Sequence, residues 1–184
     1  MIRRATFLAA AAAACCAALP AAASADLVAG TSTPLLKANG IGPLELGMTT
    51  SAALRTRWLA HRGRGCELGG RPFPVTYQLS GPRAPDGVVG TAEFDRGKLT
   101  NLSFTRGVET TFGAIVGETT ARGMVNRARA AGFGAAAEFV DTFGGTFVAV
   151  TRGRTQRFAG FARGRTSARR PISILAIPFV PVCE

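Results

Sequence analysis

The spacing of apolar residues along the chain predicts two helices. Residues at the helical positions i, i+4 and i+7 are Leu54, Trp58 and His61 in one segment and Met124, Ala128 and Ala131 in another. A pair of Thr residues precedes each segment and offers an N-cap oxygen. A glycine, Gly63 or Gly132, follows each segment, as a helix C-terminal cap favours.

Elsewhere the pattern is typical of β-strands. Hairpin turns are expected at 94–98 and at 150–154, because each is flanked by β-rich stretches. Further strands are expected at 75–79, 138–142, 146–151 and 172–177, the last with apolar residues on both faces. Each helix would pack on an antiparallel sheet of three or four strands, which predicts an α+β fold.

A short sequence recurs ahead of both helices. Leu46-Gly47-Met48-Thr49-Thr50 is matched by Val116-Gly117-Glu118-Thr119-Thr120, at an offset of 70 residues. Because this sequence, a helix and a hairpin follow one another twice, we expect two tandem repeats. They would span 39–107 and 108–184, after an N-terminal extension over 26–38.

The first 25 residues have the pattern of a secretory signal peptide. Arg3 and Arg4 precede an apolar run from Thr6 to Leu19, and Ala23-Ser24-Ala25 supplies small residues before cleavage at Asp26. No later stretch approaches the roughly 20 apolar residues that a membrane span needs. We therefore expect a secreted protein without a transmembrane segment after cleavage. The alternative is a lipoprotein anchored at Cys15 or Cys16.

Cleavage leaves Cys66 and Cys183 as the cysteines of the mature chain. Exported proteins meet an oxidising environment, so these two residues are expected to form a disulfide bond. The chain contains no Cys-x-x-Cys pair that would supply a resolving thiol. The bond is therefore predicted to be structural.

The segment that begins the first repeat also carries a family resemblance. Gly40-Ile41-Gly42-Pro43-Leu44-Glu45-Leu46-Gly47-Met48-Thr49 resembles a motif of small secreted actinobacterial proteins. The Gly-Met-Thr sequence, followed by a helix and an antiparallel sheet, is similar to β-lactamase inhibitory protein and outer-membrane assembly lipoprotein domains. The tandem arrangement resembles the inhibitory protein family, which implies two similar halves with their sheets side by side. It also implies inhibition of a secreted enzyme through a sheet face.

Residues suited to catalysis are few. His61 is the only histidine, and no Gly-x-Ser-x-Gly sequence presents a nucleophile. Glu93 and Asp95 alternate on one strand as a carboxylate pair, but acids beside basic residues at a turn are more often solvated and charge-paired. Cys and His are too few for a metal site, and no phosphate-binding loop is present. We therefore expect no catalytic residue, metal or cofactor.

The chain has a large excess of positive charge. Without Arg3 and Arg4, 20 basic residues face 11 acidic residues, a net charge of +9, and 142–183 contains no acid. The densest part predicts an exposed anion-binding loop with Arg163, Arg165, Arg169 and Arg170. Only Phe158 and Phe161 are interleaved with these arginines, so nucleic acid is not an expected partner. The alternative is a solvated basic surface without a ligand.

These features predict a non-catalytic binding protein of the cell envelope or extracellular space. Its expected partner is an anionic envelope polymer or a secreted protein. One alternative is a small secreted hydrolase that depends on His61 or on Glu93 and Asp95. The other is a protein inhibitor of a secreted enzyme. His61→Ala or Glu93→Gln would abolish turnover by a hydrolase, whereas replacement of His61 would leave a binding protein unaffected.

Overall fold

The structure is a computed structural model that describes residues 33–65, 73–164 and 167–181. The predicted signal peptide, Cys66, Cys183 and Arg165 lie outside the described residues. The signal peptide and the disulfide bond therefore stay predictions.

An eight-stranded antiparallel sheet dominates the fold. Its strands are β4 (Ala60–Arg64), β5 (Val75–Gln78), β6 (Val89–Asp95), β7 (Lys98–Arg106), β9 (Gly134–Val140), β10 (Gly145–Arg152), β11 (Thr155–Arg163) and β12 (Ile174–Ile177). Their order across the sheet is β4-β5-β6-β7-β12-β11-β10-β9. The central strands β7 and β12 pair with Ser103 opposite Ala176, so two meanders form one continuous sheet.

A smaller sheet lies near the start of the described chain. Its strands are β1 (Leu35–Lys37), β2 (Gly40–Ile41), β3 (Leu44–Glu45) and β8 (Glu109–Thr110). Their order is β3-β2-β1-β8, and β1 pairs with β8 in parallel. Leu36, Ile41 and Leu44 are buried and join the same hydrophobic core as the large sheet.

The predicted α+β class is wrong. Of the described residues, 47% lie in strands and 15% are helical. In the described ranges there are two α-helices, α1 (Thr50–Arg55) and α2 (Ala121–Ala130), and no helix there is long and apolar enough to cross a membrane. The protein is therefore mostly β, and one sheet of eight strands replaces the two separate sheets that we expected.

The first helix is shorter than predicted because the chain leaves it at Arg57. Arg57 has a left-handed backbone (φ 62°), and the Thr56 hydroxyl donates a hydrogen bond to the Ala53 carbonyl oxygen (2.6 Å). The Trp58 ring then packs directly on Gly42, and His61 lies in β4. The three residues at helical spacing thus belong to a helix, a connection and a strand.

The predicted helix N-caps are confirmed. Thr49 Oγ1 accepts a hydrogen bond from the Ala52 N–H (3.2 Å), and Thr120 Oγ1 accepts one from the Gly123 N–H (3.0 Å). Gly132 follows α2 with a left-handed φ of 79°, as predicted, whereas Gly63 lies in β4 and ends no helix. The division into repeats at 39–107 and 108–184 stays a prediction.

The two faces of the large sheet differ in what covers them. We call the face that packs on α2 the helical face; its buried residues include Phe94, Phe104 and Phe158. On this face α2 lies across β9, β10 and β11, whereas α1 contacts chiefly β7. The opposite, open face meets the segment after β12, where Gln156 Nε2 donates to the Pro178 carbonyl oxygen (2.7 Å). The helical face over β4 and β5 therefore receives little cover from a helix.

Candidate anion-binding surface

Three of the four predicted anion-binding arginines are described, and all three are exposed. Arg163 ends β11, Arg169 ends a short 3₁₀ turn (Ser167–Arg169), and Arg170 follows that turn. Arg165 lies outside the described residues. We call Arg163, Arg169 and Arg170 the arginine cluster.

Backbone hydrogen bonds hold both ends of this connection. The Gly164 N–H donates to the Gly144 carbonyl oxygen (2.7 Å), and the Ala121 N–H donates to the Arg170 carbonyl oxygen (3.2 Å). The Arg170 guanidinium lies against Gly164, since a β-carbon there would be 3.6 Å from Arg170 Cζ. The fold therefore returns Arg170 to the end of β11, beside Arg163.

No ion pair within the described ranges engages the arginine cluster. Between residues 142 and 183 the chain contains no acidic residue at all. Arginine is charged throughout the physiological pH range, and its planar guanidinium matches two oxygens of a carboxylate or phosphate. The cluster is thus chemically suited to an external anion.

A row of phenylalanine rings begins next to the arginine cluster. The Phe143 side chain is 37% exposed, and its ring centroid lies 5.5 Å from that of Phe147. Phe147 pairs directly with Phe161 across β10 and β11, with 4.7 Å between ring centroids. We call Phe143, Phe147 and Phe161 the aromatic ridge. Its accessible members, Phe143 and the half-buried Phe147, supply apolar contact area beside the charges.

This ridge was not apparent from the sequence. Phe158 and Phe161 are both interleaved with arginines along the chain, but Phe158 is buried in the core on the helical face. Residues three apart on a strand point to opposite faces, so the spacing of Phe158 and Phe161 already indicated that they lie on opposite faces of the sheet. The partner of Phe161 is Phe147 on the neighbouring strand, and that contact depends on cross-strand register.

The residues weighed for catalysis lie on two strands, His61 on β4 and Glu93 and Asp95 on β6. His61 is exposed in β4, where its backbone is left-handed (φ 49°). Glu93 lies opposite Asn101, and Asp95 lies opposite Lys98 at the β6–β7 turn. Among the described residues, no three or more His, Cys, Asp and Glu side chains come together in a group that could hold a metal ion.

A neutral concavity of about 400 Å³ lies over β5, β6 and β7 on the open face. It is lined by Gln78, Leu79, Ser80, Val88, Val89, Gly90, Thr91, Ser103 and Thr105. The Thr91 and Ser103 hydroxyl oxygens are hydrogen-bonded to each other (2.8 Å). Because no charged side chain lines this concavity, it is poorly suited to an anion.

Comparison with known proteins leaves the family open. The chain matches no known family model, no curated protein and no solved structure. The resemblance to the β-lactamase inhibitory protein family stays a prediction, and any function has to be inferred from the chain's own residues.

Proposed function

We propose that this chain is a secreted, non-catalytic binding protein that docks on an anionic polymer of the cell envelope through the arginine cluster. The observation that carries the proposal is the exposure of three guanidinium groups that no described ion pair engages. Their donors suit the phosphate or carboxylate groups of such a polymer. A secreted protein with an acidic surface is the second kind of partner that this chemistry would accept.

The arginine cluster favours a repeating anion over a single small one. An exposed ion pair contributes little by itself and is screened by salt. Several anionic groups on one polymer can engage Arg163, Arg169 and Arg170 together, so each later contact forms at high effective concentration. Phe143 beside the cluster adds apolar contact to the backbone of the polymer.

The test is co-sedimentation of the oxidised mature chain with cell envelopes of its source over a salt series. A triple variant changes Arg163, Arg169 and Arg170 to Gln. We expect wild-type binding to fall steeply with salt, and the variant to bind about tenfold more weakly at low salt, since each exposed pair contributes only a fraction of a kcal/mol.

A matched control separates this surface from net charge. Changing the exposed residues Arg55, Arg83 and Arg154 to Gln removes the same three charges elsewhere. We expect this control to bind like the wild type. Equal weakening of both variants would show attraction by overall charge alone. Absence of wild-type sedimentation at low salt would show that the cluster is only a solvated surface.

A further inference from the structure

Because α1 covers little of β4, β5 and β6, a cleft remains over these strands on the helical face. Its volume is about 330 Å³, at the lower end of the range of ligand pockets. It is lined by Thr50, Arg62, Phe73, Val75, Tyr77, Phe94, Arg96 and Gly97. A neighbouring depression of about 380 Å³ shares Arg62, Phe73 and Val75 with it. We call the first of these the aromatic cleft.

The floor of the aromatic cleft is apolar. Phe94 is 2% exposed, and Tyr77 is half-buried with its ring edge-on to Phe94 (centroids 5.6 Å apart). Val75 lies opposite Phe94 in the β5–β6 ladder and is also half-buried. A flat apolar group seated here would cover Val75 and Tyr77, which α1 leaves partly accessible to solvent, above the buried Phe94.

The rim of the aromatic cleft is cationic. Arg62 lies opposite Tyr77 in the β4–β5 ladder, so its side chain projects on the same face as the ring. Arg96 lies across the cleft at the β6–β7 turn. Both are exposed, and no ion pair with a described residue engages either of them. Next to the cleft, the Arg64 guanidinium lies 3.8 Å from the Phe73 ring centroid, so arginine and aromatic groups already stack at this edge.

The backbone of Arg96 gives independent support. Arg96 and Gly97 are the two central residues of the β6–β7 hairpin, with φ values of 46° and 75°. Asn, Asp or Gly is usual at the first of these positions, because a larger side chain in the left-handed region is strained. Strained residues of this kind cluster at binding sites, where the side chain has a use that offsets the strain.

We infer that the aromatic cleft binds a small aromatic anion, with its ring on Tyr77 and Val75 and its oxyanion between Arg62 and Arg96. This site is distinct from the arginine cluster and would recognise a different ligand. The cluster meets an extended anion at a loop, whereas the cleft encloses one or two rings. Charge complementarity and the aromatic floor together select an occupant that is both flat and negatively charged.

The test compares naphthoate with its neutral amide, naphthamide, by calorimetry and ligand-observed NMR on the oxidised mature protein. We expect naphthoate to bind saturably and naphthamide to bind about tenfold more weakly, because charge-assisted hydrogen bonds are lost. A parallel titration with naphthyl phosphate determines which oxyanion is preferred. Equal binding of naphthoate and naphthamide, or no saturable binding of either anion, would overturn the inference.

Three variants localise the site. Arg62→Gln and Arg96→Asn should each weaken naphthoate binding about tenfold, by the loss of one charge-assisted contact. Arg96→Asn suits the turn, so a loss of affinity there cannot be attributed to misfolding. Arg154→Asn, at the β10–β11 turn, removes a charge outside the cleft and should leave affinity unchanged. Equal weakening by all three would show a net-charge effect and contradict the assignment. The Arg163, Arg169 and Arg170 triple variant should bind naphthoate like the wild type, so this site and the proposed envelope function can fail separately.

Discussion

Replacing Arg96 by Asn should stabilise the protein although it removes an exposed charged side chain. Arg96 is the non-glycine central residue of a hairpin whose two central residues both have positive φ. For an L-residue the left-handed region costs roughly 1–2 kcal/mol, and Asn tolerates it better than Arg. If Asn removes about half of that cost, the free energy of unfolding rises by about 0.5–1 kcal/mol. For a chain of this size that corresponds to an increase in Tm of about 1–4 °C.

The β10–β11 hairpin, which also has a two-residue turn, provides a matched control. Arg152 pairs with Thr155 there, and Gly153 and Arg154 are the central residues. Gly153 has the positive φ (61°), whereas Arg154 is not among the described non-glycine residues with positive φ. Arg154→Asn removes the same charge from an exposed turn without relieving a left-handed backbone, so it should change stability by less than about 0.5 kcal/mol.

Urea unfolding of the oxidised mature chain is the suitable assay. The three proteins should unfold with the same m-value, so a difference in midpoint reports stability directly. A stabilisation of Arg96→Asn over Arg154→Asn supports the conformational explanation. If the two variants unfold at the same urea concentration, or Arg96→Asn unfolds first, Arg96 is not strained at this turn, and the support it gives to the aromatic cleft is lost.

Two further substitutions test the core and the second helix. Phe158→Ala should lower the free energy of unfolding by about 3–5 kcal/mol, because the Phe158 ring is 0% exposed and stacks edge-on with two other rings. The Phe143 side chain is 37% exposed, so Phe143→Ala should cost less than about 1 kcal/mol in the same urea titration. Comparable losses for the two would contradict the assignment of Phe158 to the helical face and Phe143 to the ridge. Thr120→Ala should cost about 1 kcal/mol by thermal unfolding, since the Gly123 N–H loses its acceptor, and Thr120→Ser should restore most of it.

The hairpins could be predicted from the sequence because their turns are specified locally. Asp95-Arg96-Gly97-Lys98 has Gly where a positive φ is needed and β-rich residues on both sides. The observed turn connects Asp95 and Lys98 as paired residues, which confirms that prediction. Thr49 and Thr120 were likewise predictable as N-caps, because the cap bond reaches only three residues along the chain.

The length of α1 was not predictable from spacing alone. Trp58 continues the helical pattern of Leu54, yet its ring packs on Gly42, a contact that spacing within the segment cannot reveal. That tertiary contact outweighs the helical preference of a short segment, which is weak in isolation. The fold class was wrong for the same reason: the β7–β12 pairing that joins the two meanders is also non-local.

The two candidate sites differ in how predictable they were. The arginine cluster follows from a run of arginines in one connection, so the sequence indicated Arg163, Arg169 and Arg170 directly. The aromatic cleft combines β4, β5 and the β6–β7 turn, and it depends on a helix that is too short to cover them. The residue pattern of β4 and β5 does not show that the neighbouring helix α1 leaves them uncovered.

The difference between α1 and α2 explains why a cleft occurs in one half of the large sheet. α2 is ten residues long and lies over β9, β10 and β11, whereas α1 is six residues long and contacts chiefly β7. A helix lying over β5, as α2 lies over β9, would bury Val75 and Tyr77 and would gain their hydrophobic stabilisation. The rim of the uncovered area carries two exposed arginines instead of apolar residues, one of them in a backbone conformation that disfavours it. Arg62 and Arg96 therefore disfavour neutral apolar ligands in the cleft, because desolvating the two guanidinium groups is unfavourable unless the ligand brings a negative charge.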